Sequence, residues 1–380
     1  MLPTKASLLG FENRQDKQGR SHSSTREQMF RRSADWLARR EPLPTSARAV
    51  FGYYAHSGVF DIESLRLKRR VDSHVDGVVR TAFSDVEEAI AEEFGYGYVS
   101  FEYDTKLLLP AQLTLGYLYR HTDSKDFHRA EEVTRLAVEA LLDGDMRDAL
   151  NDEEFEDFEV DFETDEHGRR LVAEIAQEVL QARVEEGFTH HPTSVREVYD
   201  WAVNISEAHQ EQDPYFRELM ERAERGGEDA LDSIRRDYKF AEFDDEPVLF
   251  SEEELTYPYF KTQYDRVGII YDAMLQMYRR SNLPIDDDFQ RSIVLAIIGA
   301  QVWLDDVDDY HDDLRDGQLT PVTAEYLLAE NEREARERVI EISDQYLGRA
   351  KRQATAADST LTGIATEYII RDGNPDVLPG

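Results

Sequence analysis

The sequence predicts an all-α protein built as a single large helical bundle. Apolar residues recur at spacings of three and four in several long segments, among them RAEEVTRLAVEALL, LVAEIAQEVLQARVEE, DRVGIIYDAMLQMYRR and EREARERVIEISDQYLGRAK. Glycine and proline fall mainly between such segments, as in RGGED, TYPY and RDGQLTP, where they end helices. The chain has no cysteine, which excludes disulfides, thiolate metal sites and cysteine nucleophiles.

Taken in chain order, the sequence predicts three regions. Residues 1–25 are polar and lack an apolar core of the signal-peptide kind, so we expect a disordered N-terminal segment and no secretory signal. Residues 26–355 form one helical domain, and residues 356–380 form a C-terminal helix and tail. Strand-like alternation occurs only in Phe155 to Thr164, which we interpret as an acidic loop. The longest apolar run, Ile293 to Leu304, is too short to span a bilayer, so we expect a cytoplasmic protein.

The charge balance narrows the classes of partner. The chain has 80 Asp and Glu against 44 Lys and Arg, a formal net charge of −36, and only eight of its basic residues are lysine. A carboxylate-rich, lysine-poor surface is typical of proteins that work in molar salt, where charges are screened over a few ångströms, and this predicts a halophilic source. It argues against nucleic-acid binding, which needs clustered basic residues.

One acidic cluster lies at the end of an apolar segment, whereas acidic runs usually lie on exposed, polar segments. Seven aspartates lie between positions 305 and 316, directly after the apolar run Ile293 to Leu304. A helix with no polar face is normally buried, so these carboxylates are predicted to emerge at the end of a core helix. Asp305, Asp309 and Asp312 stand at i, i+4 and i+7, on one face, with Asp306 beside it. Like charges at this spacing repel each other, and such a set suits Mg²⁺, which takes oxygen ligands.

The order of six short motifs in this sequence resembles the motif order of a known enzyme family. They are DTKLLLP with Lys106 and Pro110, LLDGDMRD with Asp145 and Asp148, RGGEDALD, YFKTQYD with Lys261 and Thr262, DDVDD preceded by Gln301, and DLRDGQLT. In this order they resemble the motifs of the trans-prenyl diphosphate synthases, which are class I isoprenoid synthases. The resemblance implies a helical bundle of the isoprenoid synthase type.

The resemblance also implies a reaction, the Mg²⁺-dependent ionisation of an allylic prenyl diphosphate, leading to prenyl transfer or terpene cyclisation. It assigns the metal ligands as Asp305, Asp306, Asp309, Asp145 and Asp148, with Asp143 as a further candidate. Lys261 and Thr262 would act on the leaving diphosphate, and Lys106, Lys261 and Gln301 would bind the substrate. Members of the family pair through their helices, so a homodimer or a heterodimer with a related synthase is also implied.

The chain departs from the family pattern at several positions. Gly144 stands where the first motif should have a paired aspartate, and the arginine pair that should follow is missing. Leu107 and Gln318 replace two further basic residues. These losses fit a cyclase or a modified synthase that handles one diphosphate better than they fit chain elongation. Two alternatives stay open: a non-catalytic subunit that partners an active synthase, and a halophilic helical protein without diphosphate chemistry. His311 is interpreted as a solvated neighbour of the cluster.

Overall fold

A computed structural model describes residues 30–40, 43–59, 62–152, 155 and 158–380 of the chain. The predicted disordered segment, residues 1–25, lies outside the described residues. The described part is mostly helical, which confirms the all-α prediction. Its contacts divide the chain into two units, Met1–Phe60 and Asp61–Gly380, a boundary that the sequence pattern did not predict.

The first unit contains a helical hairpin. Helix α1 covers residues 30–38, and helix α2 is Thr45–Ser57. Small side chains, Ala38 and Ala49, are fully buried, which allows the two helices to approach closely. The Arg48 guanidinium donates to the Ala38 carbonyl at 3.2 Å, so an arginine satisfies a carbonyl at the end of α1.

The second unit carries the other described helices. The longer ones are α3 (Ile62–Phe94), α4 (Leu109–His121), α5 (Phe127–Asp152), α6 (Glu166–Phe188), α7 (Thr193–Gln210), α8 (Asp213–Glu224), α12 (Ile269–Arg280), α13 (Asp287–Ala300), α16 (Pro321–Leu328), α17 (Glu332–Ala356) and α18 (Thr360–Asp372). The short ones are α9 (Glu228–Ser233), α10 (Glu252–Leu255), α11 (Phe260–Gln263), α14 (Asp306–Asp308) and α15 (Tyr310–Asp316). Single 3₁₀ turns lie at Lys106–Leu108, Ser124–Asp126 and Pro375–Val377.

Helix α13 is the central helix of this unit, as its apolar sequence predicts. Its residues Ile293, Val294, Leu295 and Ile298 are all buried, and it packs most extensively on α17. Gly299 lets the two helices approach, because a Cβ at this position would lie 2.7 Å from a methyl carbon of Leu347. Helices α5, α7 and α12 form a second packed group beside it.

Within the described residues, two short strands interrupt the helices. Strand β1, Phe101–Tyr103, pairs antiparallel with β2, Phe158–Val160, so that Tyr103 lies opposite Phe158. The interpretation of Phe155 to Thr164 as an acidic loop is therefore wrong at positions 158–160, which form strand β2. Phe158 is buried and stacks on the ring of Phe101, so the alternating aromatic residues supply the buried face of the pair.

Turns of π-helix lie in the half of the chain that carries the later motifs. They cover Ile234–Lys239, Tyr264–Gly268 and Gln301–Asp305. The second lies between α11 and α12, and the third joins α13 to α14. Each adds a residue to a helical turn and so re-aims the side chains that follow. Such turns occur frequently at functional sites.

The predicted C-terminal helix and tail correspond to α18 and the segment after it. Leu378 is buried with Val302, Trp303 and Val307, and the Tyr326 hydroxyl donates to the Pro379 carbonyl at 2.7 Å. The C-terminal segment therefore packs against the turn that begins the DDVDD motif. Among the residues that the structure describes, no helix is both long and apolar enough to cross a membrane.

Two mid-helix glycines should respond in opposite directions to substitution by alanine. At Gly299 the new methyl group meets Leu347, and we expect Gly299→Ala to lower the free energy of unfolding by about 1–3 kcal/mol through overpacking. At Gly144 a Cβ meets nothing within 4 Å, so Gly144→Ala should raise it by about 1 kcal/mol through helix propensity. Urea denaturation of both variants tests this pair, and equal shifts of the same sign would contradict it.

Candidate active site

The first aspartate motif lies on α5 and divides between two environments. Asp145 and Asp148 line a cavity, and the Tyr103 hydroxyl donates to Asp145 from strand β1. Asp143 points elsewhere and is buried, accepting from Gln177 at 3.1 Å and from Arg147 at 3.2 Å. The structure therefore keeps two of the three candidate carboxylates of this motif at the cavity and gives the third internal partners.

The cavity lies between α5, α7 and α12 and contains about 930 Å³ of atom-free space, counting its open mouth. Its wall is mainly apolar and its rim is polar. The apolar lining residues are Leu107, Ala137, Ala140, Leu141, Ala202, Val203, Ile270, Ala273, Met274 and Met277. The aromatic residues Tyr199 and Tyr271 also line it. A predominantly apolar cleft lined by a few polar groups is typical of small-molecule sites.

Asp305 and Asp145 come from the two aspartate motifs, and the negative charges of both raise the pKa of the same residue, Tyr271. Burial raises the pKa of the Tyr271 hydroxyl, and the charges of Asp145 and then Asp305 raise it further. Tyr271 lines the cavity, and its hydroxyl donates to the Leu107 carbonyl at 3.3 Å. Because screening limits such effects to about a Debye length, Asp145 and Asp305 both lie within electrostatic reach of this residue. Asp305 itself is not among the residues that line the cavity.

Asp305 carries a strongly perturbed carboxyl group. Its side chain reaches solvent, yet the protein packed around it raises its pKa to about 6, and the negative charges of Asp309 and Asp308 contribute to the rise. The positive charges of Arg266 and Lys106 act in the opposite direction. The side chain of Lys106 is itself exposed and paired with Asp104 at 2.9 Å, so it reaches Asp305 only as a nearby charge. Around Asp305, the negative charges thus outweigh the positive charges of Arg266 and Lys106. This excess favours the binding of a cation or a proton at Asp305.

Asp306 is turned into the protein. It is 2% exposed, lies 3.7 Å from the Arg266 guanidinium, and accepts from the Gln301 amide at 3.3 Å. Burial raises its pKa to about 7. Its second carboxylate oxygen has no hydrogen-bond partner among the residues described. Gln301, a predicted substrate-binding residue, is therefore placed to orient Asp306.

The aspartates of the DDVDD region lie on an interrupted helical segment, in which the predicted i, i+4 relation of Asp305 and Asp309 is kept because the Asp309 amide donates to the Asp305 carbonyl at 2.9 Å. The π-helical turn ends at Asp305, α14 spans only three residues, and Asp309 stands outside any helix with φ −88° and ψ 1°. Asp309 and Asp312 are exposed, and Asp312 pairs with Arg315 at 2.8 Å. The Asp313 amide likewise donates to the Asp309 carbonyl at 2.8 Å, so the interruption at Asp309 is local and the chain continues into α15.

The two predicted catalytic residues differ in their surroundings. The Lys261 ammonium group pairs with Asp265 at 2.6 Å and is partly exposed. Thr262 is buried, and its hydroxyl lies 3.2 Å from the main-chain carbonyls of both Tyr238 and Tyr259. Thr262 thus has partners within the protein that hold its segment in place. Lys261 is the charged member of this pair, and its partner Asp265 is a partly buried carboxylate whose pKa burial raises and Lys261 lowers.

Arg266 is a residue of the site that the motifs did not predict. It lies in the π-helical turn Tyr264–Gly268, and the charges of Asp306 and Asp313 both raise its pKa against the effect of burial. In an α-helix it would lie about 140° around the axis from Lys261. Both cations nevertheless act on the same residue: burial lowers the pKa of His209 to about 4, and the charges of Arg266 and Lys261 lower it further. The available signal was an arginine one residue after the YFKTQYD motif.

The donor set fits a hard divalent cation that a ligand helps to hold. Among the residues the structure describes, no three His, Asp or Glu side chains converge into a complete metal site. Mg²⁺ commonly takes only one or two protein carboxylates and fills its remaining positions with water and substrate phosphate oxygens. Asp305 with Asp309, and Asp145 with Asp148, supply two such partial sets on the two motifs. Asp306 faces Arg266 instead, so it fits a metal ligand less well.

No protein-family model matches this chain, and no curated protein sequence matches it.

Proposed function

We propose that this protein is a class I isoprenoid enzyme with an isoprenoid-synthase-type bundle, which ionises an allylic prenyl diphosphate in an Mg²⁺-dependent reaction. One observation carries the proposal: Asp145 and Asp148 line an apolar cavity, and Asp305, from a motif far along the sequence, lies near enough for its charge to act on Tyr271 in the cavity wall. A polar end rich in carboxylates joined to an apolar cleft matches a ligand with a diphosphate head and a hydrocarbon tail.

The protein's own cations would hold the diphosphate. Arg266 and Lys261 both act on His209, and Arg266 also lies 3.7 Å from the buried carboxylate of Asp306. An arginine can bind two phosphate oxygens through its planar fork, whereas a lysine acts as a point charge. Lys106 of the DTKLLLP motif, whose charge also reaches Asp305, would be a further cation near the diphosphate head group. When bound, Mg²⁺ would be held by Asp305 and Asp309 and by Asp145 and Asp148, and would neutralise the leaving diphosphate.

The apolar wall would bind the hydrocarbon chain and exclude water from the reacting carbon. Ala137, Ala140 and Ala273 keep the cleft open, because their side chains are too short to fill it. The rings of Tyr199 and Tyr271 are the aromatic faces available to stabilise positive charge in the cavity. An open cavity supports catalysis over a non-catalytic partner role, since a subunit without substrate has no need of an unfilled cleft.

The supply of cations at the described site supports a reaction on one diphosphate. Arg147 lines the cavity, but it is committed to Asp143 at 3.2 Å and to the Tyr199 hydroxyl at 3.1 Å. This leaves Arg266, which faces Asp306, and Lys261, which pairs with Asp265, as the cations proposed to hold one diphosphate. Chain elongation needs a second diphosphate site, so we propose that the enzyme acts on the allylic diphosphate alone, as a cyclase or lyase.

An assay of diphosphate release tests the proposal. Purified protein in molar KCl with Mg²⁺ is given C10, C15 and C20 allylic diphosphates, each with and without isopentenyl diphosphate. We expect release without the isopentenyl partner. Release that depends on it would indicate a chain-elongating synthase, and no release from protein shown to be folded would contradict the enzymatic proposal and leave the non-catalytic subunit.

A further inference from the structure

The two units of the chain carry charges of opposite sign. Residues 1–60 hold ten Lys and Arg against five Asp and Glu, whereas residues 61–380 hold 34 against 75. In a chain with a net charge of −36, a basic segment is therefore an exception that needs a cause. Opposite charges within one sequence indicate a partner surface that complements the minority charge.

Helix α1 displays this basic character together with aromatic side chains. Phe30 is 57% exposed and Trp36 is 55% exposed. Arg32 lies one turn before Trp36, and the guanidinium of Arg40 lies 3.9 Å from the centre of its ring. We call Arg32, Trp36 and Arg40 the Arg–Trp face. Arginine and tryptophan are enriched at the centres of protein interfaces, where a ring supplies contact area and a guanidinium supplies directed bonds.

The second unit displays an exposed surface of complementary chemistry. Tyr98 is 71% exposed and Tyr96 is 48% exposed, and the ring of Tyr96 packs on Phe162 at 5.0 Å. No lysine or arginine occurs in the sequence of residues 85–105 or 152–166, while Glu92 and Glu93 are exposed beside the tyrosines. We call Glu92, Glu93, Tyr96 and Tyr98 the Glu–Tyr patch. It offers carboxylates to arginines and rings to a tryptophan.

From this complementarity we infer that the Arg–Trp face of one molecule docks on the Glu–Tyr patch of a second copy of this chain. A membrane with anionic head groups or a nucleic acid would meet repulsion from a body with 75 acidic and 34 basic residues, whereas a second copy offers that body as the attractive surface. Each molecule carries both surfaces, so the contact joins unlike surfaces of two copies. The contact is independent of the proposed catalytic function.

Charge reversal on each side tests the contact by sedimentation of the full chain across a range of protein concentrations. Arg32→Glu with Arg40→Glu should raise the dissociation constant of self-association at least tenfold, and so should Glu92→Lys with Glu93→Lys. Mixing the two variants, or combining all four substitutions in one chain, should restore association to within about threefold of the unchanged protein. Arg170→Glu with Arg225→Glu makes the same change of charge elsewhere and should leave association unchanged.

Two sedimentation results would overturn the inference. One is a monomer at every concentration of the unchanged protein, and the other is weakened association in both reversals without restoration on mixing. A further arm uses vesicles of phosphatidylglycerol or of phosphatidylcholine and a single-stranded oligonucleotide. Binding to the anionic vesicles or to the oligonucleotide by a monomeric chain, lost on Arg32→Glu with Arg40→Glu, would assign the Arg–Trp face to that partner instead.

Discussion

Replacing Asp305 by alanine should abolish diphosphate release while leaving the fold intact. Asp305 is the carboxylate of the second motif whose charge reaches Tyr271 at the cavity, and its own pKa is raised to about 6. Removing it takes away a carboxylate that would hold the Mg²⁺ needed to neutralise charge on the leaving diphosphate, and losses of this kind reduce rates by about 10²–10³-fold. We expect a fall of at least about 100-fold in kcat, measured by diphosphate release at saturating Mg²⁺.

The matched control for this variant is Asp308→Ala. Asp308 is three residues away, exposed, and in the same acidic run, but it is not a proposed ligand and reaches the site through its charge on Asp305 and Asp309. Its removal should change the rate less than about threefold. Equal losses in both variants would mean that the run acts as a general negative field, and no loss in either would place the chemistry elsewhere. Circular dichroism checks that both variants fold.

The large helices could be predicted from the sequence because their pattern is local. The apolar run Ile293 to Leu304 identifies α13 and its burial, and the order of the motifs predicts that Asp145 and Asp305 belong to one site. The strand pair could not be predicted in the same way. Phe101 and Val160 are partners that lie far apart in sequence, so neither short segment shows its pairing by itself.

The details of the site depend on the π-helical turns, which the spacing of apolar residues in the sequence does not indicate. The turn that ends at Asp305 rotates the following residue inward, so Asp306 meets Arg266 although the resemblance assigns it to a metal. The turn that contains Arg266 likewise places this arginine where its charge and that of Lys261 act on the same residue, His209. Each turn is fixed by packing against other helices, and the sequence around it reads as an ordinary helix.

The inward position of Asp306 has a measurable effect on stability. Its pKa is about 7 in the folded protein, against an ordinary value of 3.8, because burial disfavours the charged form. Between these values the folded state binds more protons than the unfolded state, so the free energy of unfolding falls as pH rises. At 1.36 kcal/mol per pH unit the effect of this one group is at most about 4 kcal/mol. The fall in the free energy of unfolding that this group causes is complete above about pH 8.

Urea denaturation in EDTA between pH 5 and pH 8 tests this linkage, with Asp306→Asn as the informative variant. His209, whose pKa burial lowers to about 4, changes stability in the opposite sense below pH 6.5, so the quantity to compare is the difference between the variant and the unchanged protein. We expect that difference to grow as pH rises, with the asparagine variant the more stable at pH 8. Asp308→Asn should show no such growth, and a difference independent of pH would contradict the buried position of Asp306.

The same titration separates proton binding from cation binding at the neighbouring carboxylates. Asp305 and Asp313 both have pKa values raised to about 6, so they also favour the folded state at lower pH, though less than Asp306 because they are more exposed. A divalent cation held by Asp305 and Asp309 would stabilise the ionised forms and remove part of the pH dependence. We therefore expect Mg²⁺ to raise stability more at pH 8 than at pH 5.5, and Asp305→Ala to abolish that gain. Equal stabilisation at both pH values would indicate general screening of the acidic surface instead of a bound cation.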